Sequence, residues 1–271
     1  MKHKKNNKQH AIEGPRLKKS LGQHFLREQH VVDTMLARVQ LNQETAVFEI
    51  GCGDGFLTKS ILQQPVKELW VFEIDEHWAQ VVREQYADKR LTIFNEDFLV
   101  SDLTRLERNK SWVLLANLPY NITFPILYRL VQQVHLLREG VIMVQEEVAQ
   151  KIVASEGRGY GVTSLFFQHI FEWELLVKIS PNAFFPPPAI FSRLLYFKPR
   201  MVLDQIPDES GFWKFAKACF AQPRRMLRNN LAYAGYDLKR VPQDLLLLRA
   251  QQMSKSDLIS LWNLIRSGEQ S

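Results

Sequence analysis

Apolar positions along the chain recur with two different periods. Between residues 28 and 39, Val31, Val32, Leu36 and Val39 return at the spacing of one helix face. "AVFEI" at 46–50 is instead a short apolar run that enters the glycine-rich stretch "GCGDG", which predicts a strand and a tight turn. The alternation continues through "FLTKSILQQ" (helix), "ELWVFEID" (strand), "EHWAQVVREQYA" (helix), "RLTIFNEDF" (strand) and "SWVLLANLPY" (strand). "PILYRLVQQV" again has helical spacing, and "EGVIMVQEEVAQKIV" reads as a strand passing into a helix. Strands alternating with helices predict an α/β fold with a parallel sheet and helices on both faces. The near-continuous apolar strands suit burial on both sides.

After the break "GRGYG" at 157–161, "TSLFFQHIF" predicts a helix of the core and "EWELLVKIS" a strand. "PNAFFPPPAIFSRLLYFKPR" carries three consecutive prolines, which impose a rigid extended backbone, and then a strand-like run. Beyond about residue 203 the pattern is entirely helical and more basic, in "FWKFAKACFAQPRRMLRNNLAYAGY" and "SKSDLISLWNLIRSG". The shift predicts a flexible basic arm over 1–20, an α/β domain over 21–202 and a small C-terminal α-helical domain over 203–271.

Composition narrows the class. The 271 residues are 46% hydrophobic and 24% charged, as in ordinary water-soluble domains. No run approaches the roughly eighteen apolar residues of a membrane span, and "MKHKKNNKQH" lacks the apolar stretch of a secretory signal. A cytoplasmic protein without membrane contact is expected. Cys52 and Cys219 are the two cysteines, far apart and outside any Cys/His cluster of metal-ligand spacing, so neither a disulfide nor a metal is expected. The net charge of +6 is concentrated in residues 1–27, where Lys2, Lys4, Lys5, Lys8, Arg16, Lys18, Lys19 and Arg27 face a single Glu13. Such an arm favours nucleic acid, because Lys and Arg displace counterions from phosphates. His135 and His169 lie in apolar surroundings and read as packing or surface residues.

"EIGCGDGFLT" places Gly51, Gly53 and Gly55 between a strand and a helix, where glycines allow a tight turn and close approach of a ligand to the main chain. Glu73 ends the next strand, where a carboxylate can accept both ribose hydroxyls of an adenosine cofactor. Asp97 ends the third strand and is placed to receive an adenine amino group. The pattern Gly-x-Gly-x-Gly differs from the dinucleotide fingerprint, and acidic Glu49 and Asp54 at the pocket mouth suit a cation better than a pyrophosphate. S-adenosyl-L-methionine, whose sulfonium is cationic, is the cofactor these features favour.

"VLLANLPYNITF" ends an apolar strand on Asn117, Leu118, Pro119 and Tyr120. By itself this is also what an ordinary turn after a strand looks like. Beside a methyl donor it has a chemical reading. The amide oxygen of Asn117 and the carbonyl of Leu118 can accept the two hydrogens of an exocyclic amine. Pro119 fixes the backbone that carries them, and Tyr120 can stack on a base. The amine is pyramidalised, its lone pair is aimed at the methyl group, and orientation supplies most of the catalysis.

Four segments resemble one family. "NLPY" resembles the motif of amino-methylating enzymes. "LGQHFL" at 21–26, "AFFPPPAIFSRLLYFKP" at 183–199 and "FAQPRRMLRNNL" at 220–231 are similar, in order, to motifs of the ribosomal RNA small-subunit adenine N6,N6-dimethyltransferases. The resemblance implies a Rossmann-like class I methyltransferase sheet with a small helical domain. It implies methyl transfer to N6 of two adjacent adenosines in the 3′-terminal hairpin loop of small-subunit (16S) rRNA, within a late 30S assembly intermediate, by a monomer. It also implies that His24 and Leu26 line the cofactor pocket with Gly51, Gly53, Glu73, Asp97 and Asn117, and that Phe184 stacks on the target adenine opposite Tyr120. Lys18, Lys19, Arg224, Arg225 and Arg228 then contact rRNA. The chain departs from the family in having His24 for Asn, Cys52 for Pro and Pro223 for Arg. Three alternatives remain at this level: a related resistance methyltransferase acting on large-subunit rRNA, a non-catalytic RNA-binding factor, and a nicotinamide-dependent dehydrogenase.

Overall fold

The computed structural model describes residues 24–269. The arm over 1–20, with Lys18 and Lys19, lies outside the described residues. The chain runs β1 (Phe25–Leu26), α1 (Gln29–Arg38), β2 (Ala46–Ile50), α2 (Phe56–Leu62), β3 (Glu68–Phe72), α3 (Glu76–Gln85), β4 (Leu91–Phe94) and β5 (Trp112–Asn117). It continues with α4 (Thr123–Val131), β6 (Leu137–Gln145), α5 (Glu146–Val153), α6 (Val162–Ile170), β7 (Phe171–Ile179), β8 (Phe184–Phe185) and β9 (Ser192–Pro199). The helices α7 (Glu209–Cys219), α8 (Leu227–Tyr233), α9 (Gln243–Leu247) and α10 (Lys255–Glu269) complete it.

Seven strands form one sheet in the order β4-β3-β2-β5-β6-β9-β7. The first five are parallel, as the β/α alternation predicts. The last two correct the expectation of a purely parallel sheet: β9 pairs antiparallel with both β6 and β7. The cause is the connection. Parallel neighbours need a crossover element, whereas a proline-rich loop with only one short helical turn, Pro181–Ala183, joins β7 to β9, so the chain returns reversed. That loop contributes β8, which pairs antiparallel with β1 in a separate two-stranded sheet that the sequence pattern does not signal.

Successive residues of the central strands serve opposite cores, as the two-residue strand period requires. Phe48, Trp112 and Leu114 pack with Ile126, Leu127 and Phe167 on one face. Val47, Val113 and Leu115 pack with Val31, Met35 and Ile61 on the other. Burial of each such side chain contributes about 1.5–3 kcal/mol. A third core joins Phe212, Phe215, Leu231, Leu258 and Trp262 of the C-terminal helices to Tyr160 and Leu165 of the α/β part. The stretch 212–236, whose pattern is helical throughout, is broken at 220–226. Pro223 lacks an N–H, and the Asn230 amide donates to the carbonyls of Cys219 (2.8 Å) and Gln222 (3.1 Å), closing a loop instead.

Candidate active site

The carboxyl ends of the parallel strands converge on a cavity of about 240 Å³, lined by the glycine loop, the ends of β3 and β5, and the segment 24–26. Ligands bind at this edge in open α/β sheets. Gly51, Gly53 and Gly55 all have positive φ (75°, 51° and 82°), a region that disfavours side chains. A Cβ at Gly53 would stand 2.8 Å from the Phe25 ring, so the loop is also held by contact with β1. A Cβ at Gly51 meets nothing within 4 Å, and this residue lines the cavity.

The two acids expected at the mouth are arranged otherwise. Asp54 is paired with Arg27 at 2.6 Å, which neutralises it. Glu49 is only 1% exposed and accepts a hydrogen bond from Thr58 Oγ1 at 2.7 Å. Burial pushes its carboxyl up to about 8. Glu73 sits at the end of β3 as predicted. Its Oε1 accepts from the Asp75 N–H (2.8 Å), and its Oε2 from the Gly53 N–H (3.1 Å). Its carboxyl is raised chiefly by burial, against those hydrogen bonds. The Cys52 thiol points to Glu73 Oε2 at 3.6 Å, and burial raises its pKa. Asp97 lines the same cavity, with one oxygen held by the Leu99 N–H at 2.9 Å. The cavity therefore offers the carboxyl oxygens of buried Glu73 and half-buried Asp97 beside an open main-chain loop. That set of acceptors fits the ribose hydroxyls and the adenine amine of an adenosine cofactor.

Asn117 closes β5. Its Nδ2 donates to the His24 carbonyl at 3.2 Å, which fixes the amide and leaves Oδ1 as the acceptor. The Leu118 N–H donates to Met143 of the neighbouring strand at 3.1 Å, anchoring the peptide that follows. The Pro119 carbonyl accepts from the Ile122 N–H and Thr123 Oγ1, starting the helical turn into α4. Tyr120 stacks on His24 with ring centroids 5.7 Å apart, and its hydroxyl lies 2.5 Å from Ser192 Oγ. His24 Nδ1 carries a hydrogen to the Pro186 carbonyl at 2.8 Å. His24, Leu26, Gly51, Gly53, Glu73, Asp97 and the Asn117–Tyr120 segment thus meet around one cavity.

Phe184 does not join them. Its ring is 4% exposed and packs in the core that holds Leu26 and Met35, so it presents no face to an entering base. The alternation of β8 turns its neighbour Phe185 outward instead, 63% exposed. Arg224 and Arg225 lie on the 220–226 loop, not on a helix, and Arg228 is in the first turn of α8; all three are exposed. Sequence reasoning missed Phe25, which lines the cavity within the quoted "LGQHFL", and Ser192, whose role depends on pairing across the sheet.

A family model for "Ribosomal RNA adenine dimethylase" matches residues 14–257. A protein named ribosomal RNA small subunit methyltransferase A from Chlorobium phaeobacteroides is 34% identical over 251 residues, covering 92% of this chain and 91% of its own. One of the same name from Syntrophotalea carbinolica is 38% identical over 225 residues, covering 81% and 83%. Among solved structures, the 23S rRNA methyltransferase ErmE superposes with a TM-score of 0.74 at 20% identity, covering 89% of this chain and 99% of its own. A dimethyladenosine transferase from Plasmodium falciparum gives 0.74 at 18%, covering 90% and 98%. The two structures share the fold of this chain, and the match along nearly its whole length places it in the ribosomal RNA adenine dimethylase family.

Proposed function

We propose that this protein transfers methyl groups from S-adenosyl-L-methionine to N6 of two adjacent adenosines in the 3′-terminal hairpin loop of small-subunit rRNA, acting as a monomer on a 30S assembly intermediate in the cytoplasm. The observation that carries the proposal is the amide of Asn117, held by His24 with its oxygen left as an acceptor at the glycine-lined cavity that also receives Glu73 and Asp97. Identity of 34–38% to proteins named for the small-subunit reaction favours that substrate over large-subunit rRNA.

When bound, the cofactor supplies an electrophilic methyl group on a sulfonium. Glu73 and Asp97 hold its ribose and adenine, Gly51 and Gly53 allow close approach, and His24 and Leu26 border the pocket. Asn117 Oδ1 and the Leu118 carbonyl accept the two hydrogens of the adenine amine, withdraw its lone pair from the ring and orient it. Pro119 stiffens this peptide. Tyr120 presents its ring to the base, and extruding a loop base costs less than extruding a paired one. The proton of the methylated amine leaves to water, so no strong base is required. The exposed Arg224, Arg225 and Arg228, with Lys18 and Lys19, bind rRNA phosphates. The division into an α/β unit over 21–202 and a helical rRNA-binding unit over 203–271 belongs to this proposal.

The test is transfer of labelled methyl from S-adenosyl-L-methionine to undermethylated small subunits and to protein-free large-subunit rRNA, mapped by mass spectrometry. Dimethyladenosine in the small-subunit hairpin, absent with Asn117→Ala, is expected. Label confined to large-subunit rRNA would overturn the substrate assignment. RNA binding without label would overturn the catalytic one.

A further inference from the structure

Two large aromatic rings stand in solvent beside the mouth of the site: Phe185, 63% exposed, and Phe191, 47% exposed. Exposed phenylalanine is not explained by packing, and each ring is one residue from a contact of the Tyr120–His24 stack. Pro186, after Phe185, accepts the hydrogen bond from His24, and Ser192, after Phe191, meets the Tyr120 hydroxyl. The Phe191 backbone is fixed, since its carbonyl accepts from the Glu146 N–H at 3.0 Å. The exposed Lys178 on β7 places its ammonium 4.5 Å from the centroid of the Phe191 ring. With strands about 4.8 Å apart, β9 begins roughly 10 Å from β5 at the same sheet edge, close to where the nucleotide next to a base at Asn117 must lie.

We infer that Phe191 with Lys178, and Phe185, are stacking plates for the nucleotides flanking the adenosine in the pocket. This rests on the function proposed above and adds where the neighbouring bases go. An aromatic face with an adjacent cation suits single-stranded RNA, because any base can stack on the ring while the ammonium meets the phosphate. The plates give the enzyme a hold on the second of two adjacent target bases while the first reacts.

The experiment measures KM for undermethylated small subunits with the wild type, Phe191→Ala, Phe185→Ala, Lys178→Ala and Phe191→Trp. It is repeated with subunits reconstituted from rRNA in which the nucleotides flanking the target are abasic. Each alanine variant at a ring is expected to raise KM by about 5- to 140-fold on intact rRNA, the effect of losing one base stack. It should leave S-adenosyl-L-methionine affinity unchanged, and Phe191→Trp should restore the low KM. The penalty should vanish on abasic rRNA. Unchanged KM in both ring variants would overturn the inference. So would a penalty that persists without the flanking bases, which would mean that the rings meet a ribosomal protein. Failure of the wild type to methylate small subunits would instead overturn the proposed function and the inference with it.

Discussion

The Tyr120 hydroxyl lies 2.5 Å from the Oγ of Ser192, a side chain with no exposure to solvent. Two residues far apart in sequence thereby fix the ring that, in the proposed reaction, borders the adenine amine. Tyr120→Phe would leave the Ser192 hydroxyl buried without this partner, at about 1–3 kcal/mol of stability. Ser192→Ala should cost less, because half-buried Tyr120 keeps some access to water. The double variant should be more stable than the sum of the single losses predicts, which a cycle of urea unfolding curves measures.

Asn117→Ala removes an acceptor without opening the cofactor loop. The turnover rate should fall on the order of 100-fold, as expected when a reacting group loses its alignment. Cofactor affinity, read by calorimetry, should change far less.

Glu49 ionises near 4.5 as an ordinary carboxyl and at about 8 in the folded protein. Between those values the folded chain holds a proton that the unfolded chain has lost. Stability therefore falls as pH rises from about 4.5, by about 1.4 kcal/mol per unit, and levels off above about 8. Glu49→Gln keeps an acceptor for Thr58 and abolishes this slope. Unfolding curves of both proteins from pH 5 to 8.5 should diverge, with the variant gaining on the wild type at the alkaline end.

Gly53→Ala and Gly51→Ala both force a side chain into the left-handed region, at about 1–3 kcal/mol. Only Gly53→Ala also drives a methyl into the Phe25 ring. It should be the more destabilising of the two in thermal unfolding.

Replacing Arg224, Arg225 and Arg228 together by Gln should flatten the dependence of log affinity for small subunits on log salt, by about 0.9 for each arginine that contacts a phosphate. Stability should be nearly unchanged, because all three side chains are exposed.

The central sheet was legible because buried parallel strands and amphipathic helices impose distinct periods, from "AVFEI" through "VIMV". The glycine loop, Glu73 and Asn117 were legible because each sits at or just after the end of a strand whose apolar run marks its limit, whereas β4 stops at Phe94 and Asp97, expected to end it, lies three residues beyond in the following loop. Phe184 was not, because two adjacent phenylalanines in a two-residue strand give no sign of which one points inward. Ser192 was hidden for a related reason: its partner Tyr120 is brought to it by the order of strands, which no local pattern encodes. The loop at 220–226 was masked by helix-forming residues on both sides of Pro223.

The reversed strand β9 has an architectural consequence. A wholly parallel sheet would deliver only strand ends and helix beginnings to its carboxyl edge. Because β9 starts there, that edge also receives the turn of a hairpin, anchored to the core at Ser192 and to the cofactor side at Pro186. The rim inferred to meet the RNA is therefore built on a different piece of chain from the floor proposed to meet the cofactor. On that inference, changes in the length or sequence of 185–191 are expected to redirect which nucleic acid is accepted while the cavity lined by Gly51, Glu73 and Asp97 stays as it is.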